Sequence, residues 1–149
     1  MDYVIRFAQK EDIPQIIELC AAHATYEKAT YDRKHKEKLW IKHLFSKEKA
    51  FICLVVETKK KLIGYTTFMK QYSTWDSQFY IYLDCLYLNE NTRGMGIGLK
   101  LMDKVKQYAI SQHCDCIQWQ TPIFNTPAIQ FYQRLGALSK QKERFIWKV

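Results

Sequence analysis

The stretch best suited to chemistry is a glycine-rich segment that follows an apolar run. Residues 93–99 read Arg-Gly-Met-Gly-Ile-Gly-Leu and contain three of the five glycines of the chain. Glycine lets consecutive backbone N–H groups turn toward one point, and the start of a following helix adds partial positive charge. Such a nest of amides binds phosphate groups. Because a glycine turn can also simply begin a helix, the surrounding sequence must decide between the two interpretations.

Two common phosphate-binding motifs do not match this segment. A Walker A loop requires a Lys-Ser/Thr pair after its last glycine, and Gly98 is followed by Leu99 and Lys100. A dinucleotide-binding fingerprint requires G-x-G-x-x-G near the start of a βαβ unit, with an acidic residue on the next strand. The segment fits neither class.

A second stretch, residues 125–137, carries strong helix-boundary signals. Asn125 is a good N-cap, Pro127 fits the first turn, and Gly136 fits the position just after a helix end. The signals predict a helix over 126–135. An aromatic residue such as Tyr132 on an amphipathic helix is also typical of a packed core, so the helix pattern alone leaves its role open.

Together the two stretches resemble the GNAT acetyltransferases. Residues 93–98 are similar to the R/Q-x-x-G-x-G/A pyrophosphate loop of that family, and residues 125–137 to its N-x-x-A-x-x-F-Y-x-x-x-G-F/A motif. The resemblance implies acetyl-CoA as cosubstrate, with its pyrophosphate on the loop amides and its pantetheine arm along the preceding strand. It assigns cofactor binding to Leu86, Tyr87, Leu88, Arg93, Gly94, Met95, Gly96, Ile97, Gly98, Leu99, Asn125 and Ala128.

Amide formation from a thioester needs a neutral amine, a donor for the developing oxyanion and an acid for the sulfur. The resemblance places Tyr132 near the sulfur, where its phenol can protonate the departing thiolate. The backbone N–H of Leu86 is the candidate oxyanion donor. Asp84 is the candidate base because it interrupts an apolar strand beside these residues. An outward-facing Asp84, with a water chain as base, stays an alternative.

Within the family, the sequence is most similar to the diamine and thialysine acetyltransferases. Tyr26-Glu27 and residues 82–84 carry much of this similarity, which implies that Tyr26 and Glu27 hold the amine. A cation over an aromatic ring beside a carboxylate is physically favourable. Asp84-Cys85 stands where that group has Glu-Asp, so one acidic side chain is missing and a polyamine acceptor is not predicted. Glu143 is a candidate replacement for some of that charge.

The composition predicts one folded domain over residues 1–149, in the cytoplasm. Hydrophobic residues make up 48% of the chain, and no apolar run is long enough to cross a membrane. The five cysteines are odd in number and lie mostly in apolar stretches, so we expect free thiols. Cys114 and Cys116 have no second pair at zinc spacing, and no metal site is predicted. Cys85 lacks a catalytic signature and is expected to be a buried thiol.

The net charge of +8 does not by itself identify a partner. The lysines are spread in short groups rather than in one basic segment, so no nucleic-acid interface is predicted. We expect a small-molecule amine substrate and, as for many members of the family, a homodimer. A catalytically silent acyl-CoA-binding module is the main alternative function, and a basic nucleic-acid binder the third.

The elements that must position these residues are predicted from hydrophobic periodicity. Three consecutive strand signals over 50–88 indicate an antiparallel meander, and the strand, helix and strand signals that follow suggest a crossover unit. We therefore expect an α/β protein with a mixed, largely antiparallel sheet. The resemblance implies six to seven strands, some splayed, and about four flanking helices. None of the four histidines, His23, His35, His43 and His113, carries a motif, and none is assigned a role. Strands are predicted over 3–7, 50–57, 62–70, 79–88, 116–120 and 143–148, and helices after Pro14 and over 32–45, 96–112 and 126–135.

Overall fold

The structure is a computed structural model that describes all 149 residues. The chain forms five strands and four α-helices, with short 3-10 turns at Lys10–Asp12 and Glu90–Thr92. The α/β class and the number of helices agree with the sequence prediction. In chain order the elements are β1 (Val4–Phe7), α1 (Ile13–Tyr26), α2 (Lys36–Leu44), β2 (Ile52–Thr58), β3 (Lys61–Ser73), β4 (Gln78–Leu88), α3 (Ile97–Ser111), β5 (Ile117–Gln118) and α4 (Thr126–Arg134).

The strands form one mixed sheet in the order β1-β2-β3-β4-β5. The first four are antiparallel neighbours, and β5 runs parallel to β4. The pairing of β4 with β5 is limited to Ile81 with Ile117 and Tyr82 with Gln118. Because β4 continues to Leu88, its outer edge is unpaired from residue 83 onward. This separation of β4 from β5 opens a cleft in the sheet.

Helices cover both faces of the sheet because successive strand residues point to opposite sides. On β2, Leu54 and Val56 belong to the core beneath α3, whereas Val55 belongs to the core beneath α1. Ile16 of α1 and Leu101 of α3 are fully buried, one in each core. The two cores hold the end of α1 and the start of α3 at fixed positions beside the cleft.

An ion-pair network fixes the start of α1. The guanidinium of Arg6 on β1 donates to Asp12 at 2.6 Å and to Glu57 of β2 at 2.7 Å. Asp12 also accepts from the backbone N–H of Gln9 at 2.7 Å and is 6% exposed. Hydrogen bonding from Arg6 lowers the pKa of the Asp12 carboxyl below its usual value.

The predicted final strand is wrong. Residues 135–149 contain no strand and the sheet has five strands rather than six or seven. Phe145 and Trp147 are 90% and 93% exposed. Their spacing is typical of a strand, but a strand also requires an unpaired edge to pair with, which sequence periodicity does not supply.

Three other segments have boundaries that differ from the prediction. The loop expected over 71–78 shortens because β3 reaches Ser73 and β4 begins at Gln78. The helix expected from residue 32 begins at Lys36, since His35 adopts a left-handed backbone with φ 63°. The strand expected over 116–120 is reduced to two residues because the chain turns away from β4 to form the cleft.

Candidate active site

The cleft between β4 and the chain after β5 is a cavity of about 840 Å³. It reaches from the C-terminal end of α1, along β4, to the loop before α3 and to α4. Both predicted motifs and the predicted acceptor residues therefore line one cavity. Its wall includes Tyr26, Glu27, Asp84, Leu86, Tyr87, Leu88, Arg93, Gly94, Gly96, Leu99, Asn125, Ala128 and Tyr132.

The glycine loop presents unpaired backbone amides. Gly94 and Gly96 adopt φ of 75° and 76°, a left-handed conformation that favours glycine. The N–H groups of residues 94–99 donate to no backbone carbonyl, partly because 97–99 form the first turn of α3. These free donors at a helix N-terminus form a site suited to a pyrophosphate. Met95 and Ile97 contribute backbone only, as Ile97 is 1% exposed in the core and neither side chain lines the cavity.

A β-bulge at Asp84 determines which backbone groups face the cleft. In the β3–β4 register, Phe68 pairs with Leu83 and Thr67 with Cys85, so Asp84 has no partner. The N–H of Asn89 donates to Ile63 of β3. Since backbone groups alternate in direction along an antiparallel strand, those of Leu86 and Leu88 point to the unpaired edge. This edge offers the donor and acceptor groups that a pantetheine arm requires.

Asp84 itself is exposed and lies on the cavity wall. Next to it, the Cys85 thiol is mostly buried, and burial raises its pKa to about 11. Cys85 is therefore a thiol rather than a nucleophilic thiolate near neutral pH. All five cysteines are free.

Tyr132 projects from α4 into the cleft and packs edge-on against Trp119, with ring centroids 5.1 Å apart. Burial, followed by the nearby Glu27 carboxylate and the Tyr26 hydroxyl, raises the pKa of Tyr132 to about 12. Its phenol consequently keeps its proton near neutral pH and is able to donate it. Glu27 lines the same cavity as Tyr132.

Asn125 connects the two halves of the cleft. Its side-chain oxygen caps α4 by accepting from the N–H of Ala128 at 3.4 Å. The same oxygen accepts from the Tyr26 hydroxyl at 3.0 Å. Asn125 is 7% exposed, so this bridge is shielded from solvent. The residue predicted as a cofactor contact thus also positions a residue predicted to bind the amine.

Arg93 folds over the same aromatic wall. Its guanidinium carbon lies 4.2 Å from the ring centroid of Tyr26 and 5.5 Å from that of Tyr87. Its Nε donates to the carbonyl of Leu88 at 3.0 Å. Arg93 therefore contacts the unpaired edge of β4 and also Tyr26, the aromatic residue predicted to hold the amine.

His23, which the sequence left without a role, lines the cavity between Tyr65 and Glu27. Its Nδ1 is 2.9 Å from the Tyr65 hydroxyl and its Nε2 is 3.1 Å from Glu27 Oε1. The four-residue spacing of His23 and Glu27 on a helix is the one sequence signal that indicates this contact.

The cleft holds more basic than acidic side chains. Arg93, Arg134, Lys142 and Arg144 line it, against the carboxylates of Glu27 and Asp84. Such an excess of positive charge suits an anionic cofactor. No three His, Cys, Asp or Glu side chains lie close enough together to hold a metal ion. None of the helices combines the length and hydropathy that crossing a bilayer requires.

Known proteins match the chain over most of its length. The family model described as "Acetyltransferase (GNAT) family" matches residues 14–137. Thialysine N-epsilon-acetyltransferase of Bos taurus is 30% identical over 142 residues, which cover 90% of this chain and 83% of the relative. Spermidine/spermine N(1)-acetyltransferase-like protein 1 of Homo sapiens is 27% identical over 151 residues, or 96% of this chain and 22% of that longer protein.

A solved structure shows the same fold at low sequence identity. AAC(6')-Iy in complex with the bisubstrate analog CoA-S-monomethyl-acetylneamine superimposes with a TM-score of 0.82 and 16% identity. The match covers 100% of this chain and 99% of that one. The likeness concerns the fold, which is the arrangement of the sheet and helices.

Proposed function

The chain belongs to the GNAT acetyltransferase family and is an acyltransferase, and we propose that it acetylates a primary amine directly from acetyl-CoA. The acceptor we propose is a small cationic molecule, an amino acid or a peptide. The observation that carries the proposal is the line of unpaired backbone N–H groups, from residues 94–99 to Leu86 and Leu88 on the edge of β4, that leads toward Tyr132.

The cofactor-binding role rests on the fit between this line of groups and a long anionic thioester. The amides of residues 94–99 would hold the pyrophosphate, and the backbone of Leu86 and Leu88 the pantetheine arm. Bound there, acetyl-CoA supplies an activated acetyl group as a thioester. Side chains of Asn125 and Ala128 line the same passage, which supports their predicted contact with the arm.

The proposed reaction assigns one step to each residue near the end of the passage. Tyr26 and Glu27 hold the ammonium of the acceptor, and Asp84 takes one of its protons, directly or through water. The amine nitrogen then bonds to the acetyl carbon, and the N–H of Leu86 donates to the carbonyl oxygen as charge develops there. As the carbon–sulfur bond breaks, Tyr132 gives its proton to the sulfur and is restored by the second proton of the nitrogen.

The nature of the amine is supported by the relatives and by the charges in the cleft. The relatives' names specify thialysine and spermidine or spermine as acceptors. Here Glu27 and Asp84 are the only carboxylates on the cavity wall, beside several basic side chains. This balance favours an amine with one or a few positive charges over a long polyamine.

We further propose that the protein works as a homodimer of single-domain chains in the cytoplasm. The exposed apolar residues Leu138, Phe145 and Trp147 support a second copy as the partner that covers the C-terminal segment. Lys142 and Arg144 of this segment line the cleft, so a dimer contact there would also order one cavity wall. The free cysteines are compatible with a reducing compartment.

A panel of amines tests the proposed function. Diamines, thialysine, amino acids, aminoglycosides and N-terminal peptides are each incubated with acetyl-CoA, and release of free CoA is followed with a thiol reagent. We expect turnover with a small amine. Tight binding of acetyl-CoA without turnover of any amine would instead support a silent acyl-CoA-binding module.

A further inference from the structure

Resting on this proposed transfer, we infer that His23 is a positioning residue that fixes the Glu27 carboxylate for the ammonium of the acceptor. The sequence gives no role to His23, and the proposed reaction does not use it. The inference rests on a hydrogen-bond chain of three residues, Tyr65, His23 and Glu27, that leads from the core into the cleft.

The His23 side chain is less exposed than that of Glu27. His23 and Glu27 lie one turn apart at the C-terminal end of α1, and their side chains are 12% and 32% exposed. The His23 ring stacks on Tyr87 at a centroid distance of 5.2 Å and an angle of 22°. The histidine is therefore held in place, while its partner carboxylate stays open to the acceptor.

For a neutral His23 ring, the two hydrogen bonds have one consistent direction. Tyr65 is 2% exposed, and burial raises the pKa of its phenol far above the usual range, so the phenol remains a donor. A neutral imidazole has one N–H and one acceptor nitrogen. With Tyr65 donating to Nδ1, the N–H is on Nε2 and donates to Glu27 Oε1. The opposite tautomer would place the Nε2 lone pair against the carboxylate.

This arrangement prepares Glu27 for a cation. One carboxylate oxygen is occupied by His23, and the other remains available to the ammonium of the acceptor. A carboxylate already held in one rotamer loses less side-chain freedom when the ligand binds. Glu27 and Tyr132 line the same cavity, so an ammonium held by Glu27 shares that cavity with the proposed acid.

Two substitutions separate positioning from packing. His23→Gln keeps an acceptor for Tyr65 and a donor for Glu27, whereas His23→Phe keeps the stacking on Tyr87 and loses both hydrogen bonds. We expect His23→Phe to raise the KM for the amine about tenfold, the usual effect of losing a hydrogen bond to a charged group. The kcat and the KM for acetyl-CoA should change less than about twofold, and His23→Gln should restore most of the amine affinity.

A double substitution and a control complete the kinetic test. If His23 acts through Glu27, His23→Phe adds nothing to the KM increase of Glu27→Gln. His43 is exposed on α2, and His43→Phe should leave every parameter unchanged. Multiplicative effects of the two cleft substitutions, or an equal rise in the KM values for amine and acetyl-CoA, would overturn the positioning role.

A spectroscopic readout distinguishes failure of this inference from failure of the proposed function. In protein labelled with ¹⁵N-histidine, without substrates, we expect the His23 N–H on Nε2, with a signal that shifts in Tyr65→Phe and Glu27→Gln. If the wild-type protein turns over no amine, the proposed transfer fails while this signal still tests the hydrogen-bond chain. A ring protonated at Nδ1 alone would refute the assigned geometry.

Discussion

Replacement of Tyr132 by phenylalanine removes the proton donor that we propose for the CoA sulfur and leaves the ring in place. The edge-on packing against Trp119 needs only the ring, and hydrogen bonding is not among the causes of the raised pKa of Tyr132. We therefore expect little change in folding stability, and a Tm close to that of the wild-type protein. Any loss of activity then reports on the missing hydroxyl.

The size of the loss follows from the acidity of the phenol. General acid catalysis contributes roughly 10²- to 10⁴-fold to rate. A phenol with a pKa of about 12 is a weaker acid than an ordinary thiol, for which cysteine at about 8.5 is the reference, so proton transfer to the thiolate is uphill. The contribution of Tyr132 is therefore expected near the lower limit. Ammonium bound to Glu27 offsets one cause of the raised pKa and keeps the transfer feasible. We expect kcat to fall about 10²-fold, or about 2.7 kcal/mol.

The assay is initial-rate release of free CoA at saturating amine and acetyl-CoA, together with calorimetric titration of acetyl-CoA. The affinity for acetyl-CoA should stay within about twofold, because an acid that acts on the leaving group contributes mainly to the transition state. Tyr108→Phe is the matched control, since Tyr108 packs on Phe68 and does not line the cleft. Tyr132→Phe turning over at the wild-type rate would refute the role of Tyr132. Wild-type activity that declines between pH 7 and 9 through loss of the phenol proton would contradict its raised pKa.

Five further substitutions test the cofactor loop, the base, the fold and the proposed dimer. Gly96→Ala forces alanine to a φ of 76°, so we expect the free energy of unfolding to fall by about 1–2 kcal/mol and acetyl-CoA to bind more weakly. Gly136→Ala is the control, because Gly136 has a φ of 88° but lies outside the cleft, and it should lose only stability. Asp84→Asn should lower kcat/KM about 10²-fold in the CoA-release assay, and an unchanged value would leave a water chain as the base. Arg6 lowers the pKa of Asp12 in the folded protein, so the Arg6–Asp12 pair stabilises the fold at pH values above about 3.9, the pKa of Asp in the unfolded chain. This stabilisation is lost as the pH falls through the lowered pKa of Asp12 in the folded protein. Asp12→Asn should therefore flatten the fall in Tm below about pH 5. Trp147→Lys should convert the proposed dimer into a monomer of 17.8 kDa by sedimentation velocity, and an unchanged mass would exclude this segment as the contact.

Local sequence signals predicted most elements that surround the cleft. Asn125, Pro127 and Gly136 identify the limits of α4 to within a residue, because helix capping depends on neighbouring residues only. The left-handed turn at Gly94 and Gly96 is similarly local, since few other residues adopt positive φ without strain. The resemblance of both segments to the GNAT family then joined the cofactor loop and α4 in one prediction.

The missed features depend on contacts between distant parts of the chain. The role of His23 requires Tyr65, 42 residues away, and becomes visible only when α1 packs on β3. The final strand was predicted from residues 143–148, yet this segment pairs with none of the five strands of the sheet, and pairing between distant segments is not encoded in local periodicity. Periodicity reports which face of an element is apolar, and the surroundings decide what covers that face.

The bulge at Asp84 shows why the strand itself could be predicted while its function could not. Along a regular strand the backbone groups of successive residues point alternately to its two neighbours, and the Ile81 N–H points to Cys116, on the β5 side. Without the bulge, the same alternation would turn the backbone groups of Leu86 and Leu88 toward β3. The one extra residue reverses this alternation, so β4 pairs with β5 at its start and offers unpaired groups to the cleft at its end. The same residue that shifts the register also carries the carboxylate proposed as base. Its position therefore links two requirements of the proposed reaction, a free strand edge and a proton acceptor beside it, through a single irregularity in the sheet.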